Sequence, residues 1–131
     1  MSYCLDTSIA IRIIEGDSRC VHRLSALDEK SAFLPMIAWA ELQAGARRIT
    51  SGADAALAIL ERFAAAIPVL VFDEHAARAY GELFQRVPKR RNSFGRLIAA
   101  QALAIGATLV TTNGRDFADI GGLVIEDWTR P

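Results

Sequence analysis

A chain of 131 residues, 52% of them hydrophobic, is long enough for one domain with a solid core and gives no sign of disorder. Fifteen Lys and Arg balance fifteen Asp and Glu, so long-range attraction to nucleic acid is weak overall and any such binding must come from a local basic patch. No apolar run approaches the ~18 residues of a membrane span, Asp6 interrupts the N-terminus so that no signal peptide is expected, and two cysteines without metal-type spacing fit a reducing cytosol.

Ser2–Leu5 reads as a short strand that ends at Asp6 and carries Cys4 as a small core residue. Thr7–Glu15 reads as a helix closed by Gly16. Asp17 or Ser18 caps a second helix through about Leu27, a polar stretch that holds Cys20. Ser31–Leu34 is a second strand, followed by helices over Met36–Arg48 and Ala53–Ala66. Pro68–Phe72 ("PVLVF") is a third strand, with a proline at its edge and β-branched residues inside. Asp73 caps a helix through about Val87, and Pro88–Asn92 ("PKRRN") is the obvious exposed connector. Ser93–Ile105 is the next helix, stopped by Gly106, with Ser93 as its cap. Ala107–Thr111 ("ATLVT") and Leu123–Glu126 ("LVIE") are the last two strands.

Strands alternating with helices predict an α/β fold: a mostly parallel sheet of about five strands, covered on both faces. No break in composition divides the chain, so residues 1–131 are expected to form one domain. In such sheets ligands bind beyond the carboxyl ends of the strands, where the strand order switches. That rule selects Asp6, directly after the first strand ("YCLDTS"), and Asp116, after the fourth and a tight polar turn ("TTNGRDF"). If those strands are neighbours, both carboxylates enter one crevice. Each also has a plain reading, Asp6 as a helix N-cap and Asp116 as a turn residue.

Glu41 stands in "MIAWAELQAGARR", where its neighbours three and four positions away are Ile37, Ala38, Ala44 and Gly45. This places it on a face expected to be buried. A bare buried carboxylate costs several kcal/mol or takes up a proton. It therefore needs a metal, a cation or a backbone donor, unless it reaches the rim or pairs with an arginine. Three carboxylates together suit a hard cation such as Mg²⁺ or Mn²⁺, which can activate water and steady a phosphate. His22 and His75 lie on helices patterned for solvent and are expected at the surface. Neither a nucleophile-elbow motif nor a phosphate-binding glycine loop is present.

These residues fall within three longer segments: "CLDTSIAIRI", "AWAELQAGARR" and "RLIAAQALAIGATLVTTNGRDFADIGGLVIEDW". In this order, over nearly the whole chain, they resemble a PIN-domain protein of the VapC toxin type. The resemblance implies a three-layer α/β/α sandwich. It implies a cytoplasmic Mg²⁺- or Mn²⁺-dependent endoribonuclease that cuts cellular RNA, forms a homodimer or a heteromeric toxin–antitoxin complex, and is neutralised by a VapB-like antitoxin. Four acidic positions build the metal site in that family. Asp6 matches the first, Glu41 the second and Asp116 the fourth, with Thr7, Ser8, Thr112 and Asn113 as supporting polar residues. The third position departs from the pattern: Gly95, in "SFGRLIAA", stands where an aspartate is expected. A glycine costs little in a first helical turn, but no left-handed backbone is needed there either. The loss of a charge and a ligand predicts weak or absent activity, and Asp119 lies on the wrong side of the turn to replace it.

Lys89, Arg90 and Arg91, with Arg96 and Arg115 flanking the site, are expected to contact the RNA backbone; the plain reading of the run is a solvated loop. Ile9, Ile11, Ile13 and Ile14 carry more apolar surface than one helix face needs, which suits either core packing or cover by an antitoxin or twin subunit. The alternative to a weakened nuclease is a non-catalytic module of the same fold that only sequesters antitoxin or RNA. A phospho-acceptor domain using Asp6 is more distant, because no lysine stands near the acids.

Overall fold

The computed structural model describes residues 1–86 and 94–131. The expected Pro88–Asn92 connector, the Ser93 cap and the RNA contacts at Lys89, Arg90 and Arg91 lie outside these residues. The elements run β1 (Tyr3–Leu5), α1 (Thr7–Ile14), α2 (Ser18–Ser25), β2 (Ala32–Pro35), α3 (Met36–Arg47), α4 (Ala53–Ala66), β3 (Val69–Leu70), α5 (Glu74–Arg86), α6 (Phe94–Ile105), β4 (Thr108–Val110), a 3-10 turn (Gly114–Phe117) and β5 (Ile125–Glu126).

Local chemistry sets many of these boundaries. Asp17 caps α2, its Oδ1 accepting from the backbone N–H of Arg19 and Cys20 at 3.1 Å. Asp73 caps α5 through the N–H of Ala76 at 3.0 Å. Such caps satisfy amide donors that the first helical turn leaves without partners. Gly16 and Gly106 take φ of +84° and +66° just past α1 and α6, a conformation that other residues adopt only under strain.

All strands are parallel, in the order β3-β2-β1-β4-β5. Cys4 pairs with Leu109, and Leu5 with Val110, so β1 and β4 lie side by side in register. The chain winds from β1 out to one edge and then crosses to β4, which puts the switch point between these two strands. Side chains alternate across the sheet. Cys4, Leu34 and Leu109 face one core with Ala38 and Leu42 of α3, Leu60 of α4, Leu83 of α5 and Ile98 of α6. Leu5 and Val110 face the other, with Ile9 of α1, Cys20 of α2 and Trp128. The result is the expected α/β/α sandwich. Each fully buried Leu or Ile contributes about 1.5–3 kcal/mol of apolar transfer.

Several features differ from the sequence reading, among them β4, which contracts from Ala107–Thr111 to Thr108–Val110. The third strand shrinks from five residues to Val69–Leu70, because it is an edge with only β2 to pair with and β2 ends at Pro35. β5 likewise contracts to two residues. Cys20, in its polar stretch, is fully buried against Leu5 and Trp128. Burial pushes its thiol up to about 11 and that of Cys4 up to about 12, so neither is poised as a nucleophile. Among the described residues no helix is long and apolar enough to cross a membrane.

Candidate active site

The carboxyl ends of β1 and β4 open into a cleft of about 620 Å³. Asp6, Thr7, Ser8, Glu41, Gly95, Arg96, Asn113 and Asp116 line it, together with Phe94 and Phe117. Side chains from four separate stretches of sequence thus converge at the switch point.

Asp6 is the most constrained. It follows β1 directly, is 7% exposed, and caps α1 with Oδ1, which accepts from the N–H of Thr7 at 2.9 Å. Its Oδ2 accepts from the hydroxyl of Thr111 at 2.6 Å and that of Ser8 at 3.5 Å. The cap and the cleft acid are therefore one residue: each carboxylate oxygen is held by the fold, which aims the group. Burial raises its carboxyl above the ordinary 3.8; the hydrogen bonds from Thr111, Thr7 and Ser8 oppose that, and the charge of Asp116 adds to it. A cation in the cleft would relieve both causes of the rise.

Thr111 is a residue the sequence reading passed over as the end of a strand. It is fully buried, donates to Asp6 and accepts from the N–H of Asn113 at 3.0 Å. A threonine between an apolar strand and a polar turn was the available signal. The turn is secured further by Thr112 N–H to Ser8 Oγ at 3.3 Å and Asp116 N–H to the carbonyl of Asn113 at 2.9 Å.

Glu41 is half-buried rather than fully buried, and its Oε1 accepts from the hydroxyl of Thr7 at 2.8 Å. The expected buried face of α3 holds for Ala38 and Leu42, while Ala44 is exposed; Glu41 sits where that face meets the cleft. Among the described residues its hydrogen-bond partner is this hydroxyl.

Arg96 lines the cleft but is not the surface cation expected. Its side chain is 6% exposed, and Nη2 donates to the carbonyl of Asp116 at 3.1 Å and to both carboxylate oxygens of Asp119 at 3.0 and 3.1 Å. It is a strut between α6 and the turn that bears Asp116. Asp119 faces this strut and does not line the cleft. Arg115 and Thr112 also lie outside it, in an adjoining depression with Arg130 and Asp127; the two hollows share Asn113 and Asp116. Both His22 and His75 are exposed.

Among the described residues no three His, Cys, Asp or Glu side chains form a group tight enough to hold a metal by themselves. The donor chemistry nonetheless fits a hard divalent ion. Mg²⁺ keeps several waters and is typically held through one or two carboxylates with substrate phosphate. Asp6 with Asp116 supplies such a pair, and Glu41 stands in the same cleft. Gly95, in the first turn of α6, adds wall but no ligand.

A PIN-domain family model matches residues 3–123. The chain is 30% identical to the tRNA(fMet)-specific endonuclease VapC of Shigella flexneri, over 98% of this chain and 99% of that protein. It superposes on the crystal structure of DNA-bound VapBC from Salmonella typhimurium with a TM-score of 0.87, at 29% identity and 98% coverage of both chains. VapBC2 from Rickettsia felis, bound to a promoter DNA fragment, gives a TM-score of 0.85 at 30% identity, covering 98% of this chain and 99% of that one. The chain belongs to the PIN-domain family, in its VapC branch.

Proposed function

We propose that this protein is a metal-dependent endoribonuclease toxin, that Asp6, Glu41 and Asp116 hold its metal, and that Gly95 leaves it with reduced or no activity. The observation that carries this is the convergence of the three carboxylates on one cleft at the β1–β4 switch point. On this reading residues 1–131 act as one catalytic unit in the cytoplasm.

Mg²⁺ or Mn²⁺ bound there supplies an activated water and neutralises the scissile phosphate. The protein's own residues do the rest. Asp6, locked by Thr111 and the α1 amide, fixes the ligand geometry. Thr7 orients Glu41 from across the cleft. Arg96 holds the main chain at Asp116 so that its carboxylate stays in the opening. Arg115, exposed beside Arg130 in the adjoining hollow, offers charge for the RNA backbone beyond the cut. Without a carboxylate at position 95, divalent affinity falls and the attacking water loses an anchor.

The solved neighbours in Salmonella typhimurium and Rickettsia felis are VapBC complexes, which supports a VapB-like antitoxin as partner, alongside a homodimeric state. A second hollow of about 240 Å³ supports it too. This one is apolar, runs between α1, α3 and α4, exposes Ile11, Ile49 and Ile59, and shares Thr7 and Glu41 with the acidic cleft. A segment seated there reaches the carboxylates. Of the early isoleucines only Ile11 remains for such cover; Ile9 is core, and Ile13 and Ile14 pack half-buried.

Gly95 also favours a second reading, a non-catalytic module that binds antitoxin or RNA. Total RNA incubated with the protein and with its Gly95→Asp variant, in Mn²⁺ and in EDTA, separates the two. Cleavage by the variant, stopped by EDTA, is expected; absence of cleavage by both forms favours the binding module.

A further inference from the structure

The described residues expose nine large apolar side chains, and only one, Phe94, is aromatic. It is 59% exposed, sits at the start of α6, and lines the acidic cleft beside Gly95. The other aromatic of the lining, Phe117, is core at 4% exposure. An aromatic ring left in water gains the fold nothing and forgoes a transfer contribution of about 1.5–3 kcal/mol. Its aliphatic counterparts Ile11, Ile49 and Ile59 belong to the apolar groove on the other side of Glu41. Phe94 instead lines the cleft with Asp6, Glu41, Asn113 and Asp116, and among the described residues of that lining it is the one exposed apolar side chain.

We propose that Phe94 is a stacking platform that seats an unpaired base of single-stranded RNA next to the carboxylates. The inference rests on the nuclease reading of the cleft and names a residue that grips its substrate. Its physical logic is one of charge. A carboxylate-lined cleft repels the phosphates on either side of the one being cut. The base is the uncharged part of the nucleotide, and a ring can hold it without adding charge to the metal site. Every base has a π face, so this grip selects unstacked, single-stranded RNA and not a sequence. A cleft of about 620 Å³ lies within the size range of ligand sites, roughly 300–1,000 Å³.

Fluorescence of 2-aminopurine within a short single-stranded RNA, titrated with the protein in Mn²⁺ at low salt, reads stacking directly. The protein and Phe94→Trp are expected to quench the probe. Phe94→Ala and Phe94→Leu are expected to lose the quenching and to weaken binding about ten-fold or more. Leucine keeps apolar bulk without a π face, so a Leu variant that behaves like the original overturns the proposal. So does an Ala variant with unchanged affinity, or an original protein that leaves the probe unquenched. An Ala variant that loses self-association or antitoxin binding while keeping RNA also overturns it. The nuclease reading is scored separately with Gly95→Asp. No cleavage with Phe94-dependent quenching intact defeats the nuclease and spares the platform; cleavage with the same KM after Phe94→Ala does the reverse.

Discussion

The two walls of the cleft are built by different rules. On the β1–β4 wall, Asp6 is buried, both its oxygens are hydrogen-bonded, and its partners are Thr7 and Ser8 at the start of α1 and Thr111 just past β4. On the α6 wall, the position facing the cleft is a glycine, its neighbour is an exposed phenylalanine, and the next residue is an arginine turned inward. One wall holds a carboxylate in place at some cost to stability; the other has no carboxylate to hold. A fold can therefore keep much of the support of a metal site while one of its ligands is missing: Asp6 is held from β1, α1 and Thr111, and α6 contributes the Arg96 strut to the Asp116 turn even with a glycine at position 95.

The largest effect expected is on chemistry. In a Gly95→Asp background, Asp6→Asn lowers RNA cleavage at least ~100-fold, beyond the ~10–100-fold typical of a group that only orients a ligand. A smaller loss places Asp6 among the supports and breaks the contrast between the walls. Arg96→Ala is expected to cost about 2 kcal/mol in urea unfolding, since it removes a buried donor from the Asp116 carbonyl and from the partly exposed Asp119 carboxylate. Thr111→Val should cost about 2 kcal/mol, because it strips the partner from both the Asp6 carboxylate and the Asn113 N–H. An unfolding free energy changed by less than about 1 kcal/mol in either variant would mean that the wall is held elsewhere.

The smallest effect carries the clearest sign. Burial raises the carboxyl of Asp6 above 3.8, so the folded state binds this proton more tightly than the unfolded chain does. Its contribution is most favourable below pH 3.8 and declines as pH rises through the folded value. At neutral pH without metal the ionised group is a net cost. Asp6→Asn should therefore raise the melting temperature at pH 7 in EDTA, with the gain vanishing toward pH 3.8 and offset by added Mn²⁺. A lower melting temperature at pH 7 would show that its hydrogen bonds outweigh its burial.

Much of this was legible because local signals agreed. The limits of α4 were readable from its alanine-rich run, Asp73 as a cap from its position before a periodic stretch, and Asp17 as one of two candidates with Ser18. The rule that sets ligands at switch points singled out Asp6 and Asp116 on the condition that β1 and β4 are neighbours, and the register of the two strands meets it. What stayed hidden depends on distance in sequence. Thr111 reaches Asp6 across 105 positions, and Arg96 reaches Asp119 across 23; neither leaves a periodic trace. The burial of Cys20 was masked by the polar residues around it, since only one face of α2 packs inward. β3 was overread because propensity favours strand throughout "VLVF", while the ladder ends where its only neighbour ends.

The direct test is the affinity of Mn²⁺ for the protein, for Gly95→Asp and for Asp6→Asn, by titration calorimetry. A metal site with one wall complete predicts weak binding by the protein, binding tightened at least ~10-fold by Gly95→Asp, and none after Asp6→Asn in either background. Equal affinity with glycine or aspartate at position 95, or binding that survives the loss of Asp6, would contradict it.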